Sequence, residues 1–135
     1  MKDSKKRIDI YTTIWDIDIV VANKYVTLED LKEKYVYSDD KELDEFIIDG
    51  CGTSSTVKDK QTRALCCLVK YNRHITRKDY DNLLDIVNTA VHEAVHCCLD
   101  IYSQCHVDIH YDNQEPVAYE IASITTNILK TLLNK

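Results

Sequence analysis

Apolar and β-branched side chains dominate the first quarter of the chain, where they recur at close, strand-like spacing. Residues 7–22 combine alternation with β-branched and aromatic side chains, which is typical of one long strand or of a strand broken near Asp16. Thr27, followed by acidic residues at 29 and 30, has the pattern of a helix N-cap with an acidic first turn. We therefore expect a short helix from Leu28 to about Tyr35.

Two further strands are predicted before the middle of the chain. Residues 54–57 and 62–71 are rich in strand-forming side chains, and a polar turn at 58–61 separates them. A short apolar run at 46–48 is ended by Gly50-Cys51-Gly52, which predicts a loop. The first half thus supplies three or four strands and one helix.

The second half has a helical period. A pattern of 3.6 residues begins after Thr76 and predicts a helix from about Arg77 to Tyr102. A loop at 103–112 precedes Asn113 and Pro116, which suit the first turn of a terminal helix. The expected fold is α+β: residues 1–135 form a single domain, in which a small antiparallel sheet from the N-terminal half packs with the long helix and the C-terminal helix.

Charge and composition exclude several classes of protein. The 17 basic and 23 acidic residues give a net charge of −6, which argues against nucleic acid as a partner. The longest apolar run, Ala64 to Val69, is far shorter than the roughly 18 residues that span a bilayer. We therefore expect no membrane partner and a cytoplasmic location.

The six cysteines include no C-x-x-C pair, and they are expected to be small reduced core residues.

The long predicted helix carries His92-Glu93-Ala94-Val95-His96, an H-E-x-x-H motif. Residues four apart lie above one another on a helix, so both imidazoles can face one Zn²⁺ ion. Glu93 lies about 100° around the helix, where it can reach a metal-bound water and act as general base. The histidines belong to a polar stripe along the otherwise apolar helix, formed by Asp85, Thr89, His92, His96 and Asp100.

A catalytic zinc needs a third protein ligand and an open fourth position. An extended motif with glycine at 99 and histidine at 102 is excluded, because the chain has Leu99 and Tyr102 there. Glu115, in the first turn of the terminal helix, is the preferred third ligand, since antiparallel packing of the two helices brings it opposite the histidines. Three other residues compete for this role: Glu120, His106 and His110.

The motif and the segment Asn113-Gln114-Glu115-Pro116-Val117-Ala118-Tyr119 together resemble the gluzincin branch of the zincin-like metallopeptidases. The resemblance covers residues 85–132 and is greatest to small bacteriophage proteins with an H-E-x-x-H and a later E-P-x-A-Y segment. It implies a minimal zincin-like fold, a zinc cofactor and ligation by Glu115. Tyr119 departs from the gluzincin pattern, which has an acidic residue at that position.

Three functions remain open from the sequence. The first is a zinc-dependent peptidase-like hydrolase that cleaves peptide or protein bonds with Glu93 as general base. In this hypothesis the strand 62–71 lies at a sheet edge and aligns an extended substrate. The second is a non-catalytic zinc-containing protein-binding module, and the third is an acidic interaction protein in which the motif is accidental.

Overall fold

The computed structural model describes residues 5–72 and 83–135 as one sheet with helices on both faces. Two 3₁₀ helices, Glu45–Ile48 and Tyr111–Asn113, lie between the longer elements. In chain order the strands and α-helices of the described residues are β1 (Ile8–Tyr11), β2 (Asp18–Ala22), α1 (Leu28–Lys34), β3 (Tyr35–Tyr37), β4 (Gly52–Asp59), β5 (Leu65–Tyr71), α2 (Leu83–Gln104) and α3 (Gln114–Leu132). The α+β class and the two long helices of the second half are confirmed. The predicted start of α2 at residues 76–77 lies outside the described residues.

The order of the strands across the sheet is β1-β2-β5-β4-β3. Strands β2 and β5 pair in parallel, whereas the other three pairs are antiparallel. The sheet is therefore mixed and not wholly antiparallel. Parallel pairing needs a long crossover, and here α1, β3 and β4 together form it.

The predicted break in the first strand is confirmed. Asp16 has a φ of 57°, and the chain reverses there so that β1 and β2 form an antiparallel pair with Ile10 opposite Val20.

The predicted N-terminal cap of α1 is also confirmed. The Asp30 amide donates to Thr27 Oγ1 at 3.1 Å, and the Thr27 amide donates to Asp30 Oδ2 at 2.8 Å, which is a reciprocal capping box.

Alternation along β2 and β5 divides the core between the two faces of the sheet. Ile19 and Val21 pack under α2 and α3, whereas Val20 and Leu68 pack under α1 and the first 3₁₀ helix. Strand β5 lies between β2 and β4. The prediction that 62–71 is an edge strand is therefore wrong, because both of its backbone edges already have strand neighbours.

The adjacent cysteines of β5 point to opposite faces, as expected for neighbours on a strand. Cys66 packs on the α1 face, and Cys67 on the α2 face contacts Cys97, with the two sulfur atoms 2.7 Å apart. Contact with Cys67 and burial raise the pKa of Cys97 well above its usual value. The Cys97 thiol therefore stays protonated at neutral pH, and both buried cysteines pack as small apolar groups.

Helices α2 and α3 pack against each other and against the sheet. Their shared core includes Ala94, Cys98 and Ile124. Leu84 and Val91, which follow the apolar period of α2, are nevertheless exposed. Within the described residues, no helix combines the length and apolar character needed to cross a membrane.

Lys70 is a buried cation, and its burial gives a testable pH dependence. The side chain is 2% exposed, and Nζ donates to the carbonyl oxygens of Asn23 at 3.1 Å and Tyr71 at 2.6 Å. Burial lowers the pKa of Lys70 to about 8, from an ordinary value of 10.5. Between these pH values the unfolded chain binds more protons than the native protein, so the Lys70 contribution makes stability rise with pH.

We expect the free energy of unfolding of the wild type, relative to Lys70→Met, to rise by on the order of 2–3 kcal/mol between pH 8 and 10.5. Urea denaturation at several pH values measures this difference. The thiols of Cys66 and Cys98, whose pKa is raised to about 11, titrate in both proteins and cancel. A difference that does not change with pH would contradict the assignment to Lys70.

Candidate metal centre

The middle of α2 brings together the three residues of the H-E-x-x-H motif. The His92 and His96 ring centroids are 4.8 Å apart, with an angle of 69° between the ring planes. One ligand atom from each of His92, Glu93 and His96 lies within 4.8 Å of the other two. We refer to these three residues as the His–Glu–His group.

The members of the group differ in burial. Both histidines are exposed, whereas Glu93 is only 4% exposed. Within residues 5–72 and 83–135, no side chain donates a hydrogen bond to the Glu93 carboxylate. The exposed imidazoles are thus accessible to an ion from solvent, while the carboxylate is held in one place by the protein around it.

Gly52 allows the start of β4 to approach α2 at Glu93. An ideal Cβ at this position would lie 2.8 Å from Thr89 Cγ2 and 3.4 Å from Glu93 Oε2. Any larger residue would therefore push the strand and the helix apart. Gly52 was predicted to lie in a loop, because a close approach between distant segments leaves no local pattern in the sequence.

Glu93 lines two cavities. The smaller has a volume of about 250 Å³, and Cys51 and Thr89 contribute to its wall. The larger has a volume of about 430 Å³, and all three residues of the His–Glu–His group line it. The motif therefore faces open space large enough for an ion, water and part of a ligand.

Asp100 lines the larger cavity with His96, one helical turn away. Burial raises the pKa of the Asp100 carboxyl, and the neighbouring His96 acts in the opposite direction. Asp100 was not among the residues predicted for the site, although it ends the polar stripe along the helix. The spacing of four residues was the signal that could have identified it.

The candidate third ligands lie outside the His–Glu–His group. Glu115 is exposed at the start of α3. Glu120 accepts a hydrogen bond from Trp15 Nε1 at 3.2 Å. His106 is exposed with a φ of 56°, and His110 is exposed before the second 3₁₀ helix. Ligation by Glu115 stays a prediction, because α2 alone supplies the group as the structure has it.

A scan of protein-family models, a search of curated proteins and a search of solved structures each find no match for this chain. The likeness to gluzincins therefore remains a prediction drawn from the residues of the second half.

The donor set fits a zinc ion. Imidazole nitrogens and carboxylate oxygens are common zinc ligands, and two exposed histidines one turn apart can turn toward a single ion. The negative charges of Glu93 and Asp100 around the cavity also favour a divalent cation.

A substitution at Gly52 tests the close approach of β4 to α2. We expect Gly52→Ala to lower the free energy of unfolding by about 1–3 kcal/mol, because its new methyl group overlaps with Thr89 Cγ2. Adding Thr89→Ser removes that methyl group and should restore most of the loss. Chemical denaturation of both single variants and the double variant measures this coupling.

Gly50→Ala is the matched control. Gly50 has a φ of +69° and no atom within 4 Å of an ideal Cβ, so its substitution is strained by the backbone alone. Thr89→Ser should not rescue Gly50→Ala. If Thr89→Ser does not rescue Gly52→Ala either, the contact with Thr89 is not the cause of the loss of stability.

Proposed function

We propose that the protein is a zinc-dependent peptidase-like hydrolase that acts on peptide or protein bonds. The observation that supports this most strongly is the His–Glu–His group, in which a buried carboxylate lies beside two exposed imidazoles and faces a cavity. This combination supplies metal ligands and a base at one place.

His92 and His96 would hold the zinc ion. When bound there, zinc would act as a Lewis acid and bring the pKa of a water molecule close to neutrality. Glu93 would accept a proton from the attacking water and would later donate it to the nitrogen of the leaving amine. Its buried position keeps the carboxylate oriented for both proton transfers.

The open edge of β4 gives a place for an extended substrate. The backbone carbonyl oxygen of Cys51 accepts a hydrogen bond from the backbone N–H of Asn72 at 2.8 Å. In an antiparallel pair, successive residues of a strand direct their backbone groups alternately toward and away from the neighbouring strand, and this bond shows which residues of β4 face β5. The backbone groups of Gly52, Ser54 and Thr56 therefore point away from β5. Because β3 pairs with β4 only at 57–59, residues 52–55 have no strand neighbour on that side among the described residues.

A peptide that adds to this edge would pass beside the His–Glu–His group, because Gly52 and Ser54 line the same cavity. Backbone hydrogen bonds would align the peptide independently of its sequence. The proposed substrate-aligning strand is thus β4 and not β5.

The carboxylate that completes the site can be identified by substitution. We expect Asp100→Asn to weaken zinc binding by about tenfold to a hundredfold, because carboxylates beside a ligating histidine contribute this much. Glu115→Gln should have a smaller effect, because Glu115 lines neither of the cavities at Glu93, whereas Asp100 lines the larger one. Competition with a chromophoric chelator measures the zinc affinity of both variants. If Glu115→Gln weakens zinc binding more than Asp100→Asn does, the third ligand is Glu115 on α3.

The function is tested with the purified protein and a diverse peptide library analysed by mass spectrometry. We expect cleavage in the presence of zinc, loss of cleavage on chelation and recovery when zinc is restored. Stoichiometric zinc without any cleavage above the level of Glu93→Gln would contradict the hydrolase and support a non-catalytic binding module. Absence of zinc binding would exclude both.

A further inference from the structure

A groove extends from the His–Glu–His group along the open edge of β4. It consists of the 430 Å³ cavity at the group and a second cavity of about 560 Å³ beside Ser55 and Thr56. Phe46 lines both cavities and joins them. We call this surface the β4 groove.

The wall opposite β4 is a fixed turn that presents an aromatic ring. Phe46 is 59% exposed, although it belongs to a 3₁₀ helix that is firmly anchored. The Phe46 amide donates to Asp44 Oδ1 at 3.1 Å, and the carbonyl oxygen of Ile47 accepts hydrogen bonds from Thr53 Oγ1 at 2.7 Å and Asn72 Nδ2 at 3.1 Å. An exposed ring on a rigid support is suited to contact with an apolar ligand side chain.

The groove also carries negative charge along its length. Neither cavity has a Lys or Arg in the part of its wall that the structure describes, while four aspartates line them, namely Asp39, Asp44, Asp49 and Asp100. In the described residues Asp49 and Asp100 form no ion pair with a lysine or arginine. Their charges are therefore available to a cation from outside the protein.

Glu93 supplies a second, independent indication of a ligand. The residue is only 4% exposed, and its carboxylate lines the same groove and receives no hydrogen bond from any side chain of the described ranges. Such a side chain indicates a ligand at this end of the groove, where the zinc ion of the proposed function would bring positive charge to the carboxylate.

We propose that the β4 groove selects extended peptides in which a lysine or arginine neighbours a large apolar residue. This inference rests on the proposed function and names its substrate class. The peptide backbone pairs with the outward groups of Gly52 and Ser54, the apolar side chain lies on Phe46, and the basic side chain meets Asp49. The acidic net charge of the chain adds a weaker attraction for the same class of peptide.

Equilibrium binding to the zinc-loaded Glu93→Gln protein tests this without turnover. The probes are fluorescent peptides of equal length in which leucine alternates with lysine, glutamine or glutamate. We expect the lysine peptide to bind about tenfold more tightly than the glutamine peptide, with the glutamate peptide weakest, and high salt should reduce the difference. Equal affinity for the three peptides would overturn the proposal.

Variants of the groove locate the binding. Added to the Glu93→Gln protein, Asp49→Asn should weaken binding of the lysine peptide about threefold to fivefold, whereas Asp112→Asn, the same change on an exposed residue outside the groove, should not. Phe46→Ala should weaken binding of all three peptides. If Asp112→Asn has the same effect as Asp49→Asn, only net charge matters and the groove is not the binding site.

The outcome of this binding test is independent of the outcome of the cleavage test for hydrolase activity. A preference for the lysine peptide that depends on Asp49 supports the groove even if the wild-type protein cleaves none of the peptides. Cleavage of all three peptides at equal rates supports the hydrolase and overturns the selectivity.

Discussion

Replacement of Glu93 by glutamine is expected to lower kcat for peptide hydrolysis by about a hundredfold to ten-thousandfold, with zinc retained. Glutamine has nearly the same shape, so the packing around this buried side chain should change little. It cannot accept the proton of the attacking water, however, and it cannot return a proton to the leaving amine. Single-substrate kinetics and metal analysis of the same sample give both results.

Glu33→Gln is the matched control for this substitution. Glu33 is exposed on α1, on the opposite face of the sheet from α2, so the same chemical change there should leave kcat unaltered. If Glu93→Gln keeps the wild-type rate, Glu93 is not the base. If it loses zinc together with activity, Glu93 acts as a ligand instead.

Replacement of His96 by alanine is expected to weaken zinc binding by more than about a hundredfold. Loss of a direct ligand should cost more than the tenfold to hundredfold that loss of a supporting residue costs. The imidazole of His96 lies beside that of His92, and α2 offers no other histidine to replace it. His106→Ala, an exposed histidine beyond the end of α2, should keep the wild-type affinity.

The same variants should differ in thermal unfolding. Zinc at about a hundred times its Kd stabilises a protein that binds it only when folded by about 2.7 kcal/mol. We expect this stabilisation in the wild type and in His106→Ala and not in His96→Ala, as measured by Tm with and without zinc. Equal stabilisation of all three proteins would indicate a metal site elsewhere.

Local patterns predicted the elements of the fold well. The break at Asp16, the capping box of Thr27 and the two long helices each depend on residues within a few positions of one another, and each is confirmed. The H-E-x-x-H motif is also local, so the sequence could predict that His92 and His96 share one helix face.

Long-range relations could not be predicted in the same way. The parallel pairing of β2 with β5, and with it the central position of β5, depends on how the intervening segments cross the sheet. The approach of Gly52 to Glu93 depends on the same topology. The prediction of Glu115 as a ligand assumed one orientation of α3 relative to α2, which the period of apolar residues does not determine. Asp100 was within reach of local reasoning, because it lies four residues after His96 on the same stripe.

The most direct measurement is an anomalous difference map at the zinc absorption edge, from a crystal grown with zinc. We expect one peak, about 2.0–2.1 Å from an imidazole nitrogen of each of His92 and His96, with the Glu93 carboxylate beside it. The same map identifies the third ligand. Imidazole rings that point apart with no peak between them, in a crystal that contains zinc, would contradict the metal centre and the hydrolase proposed from it.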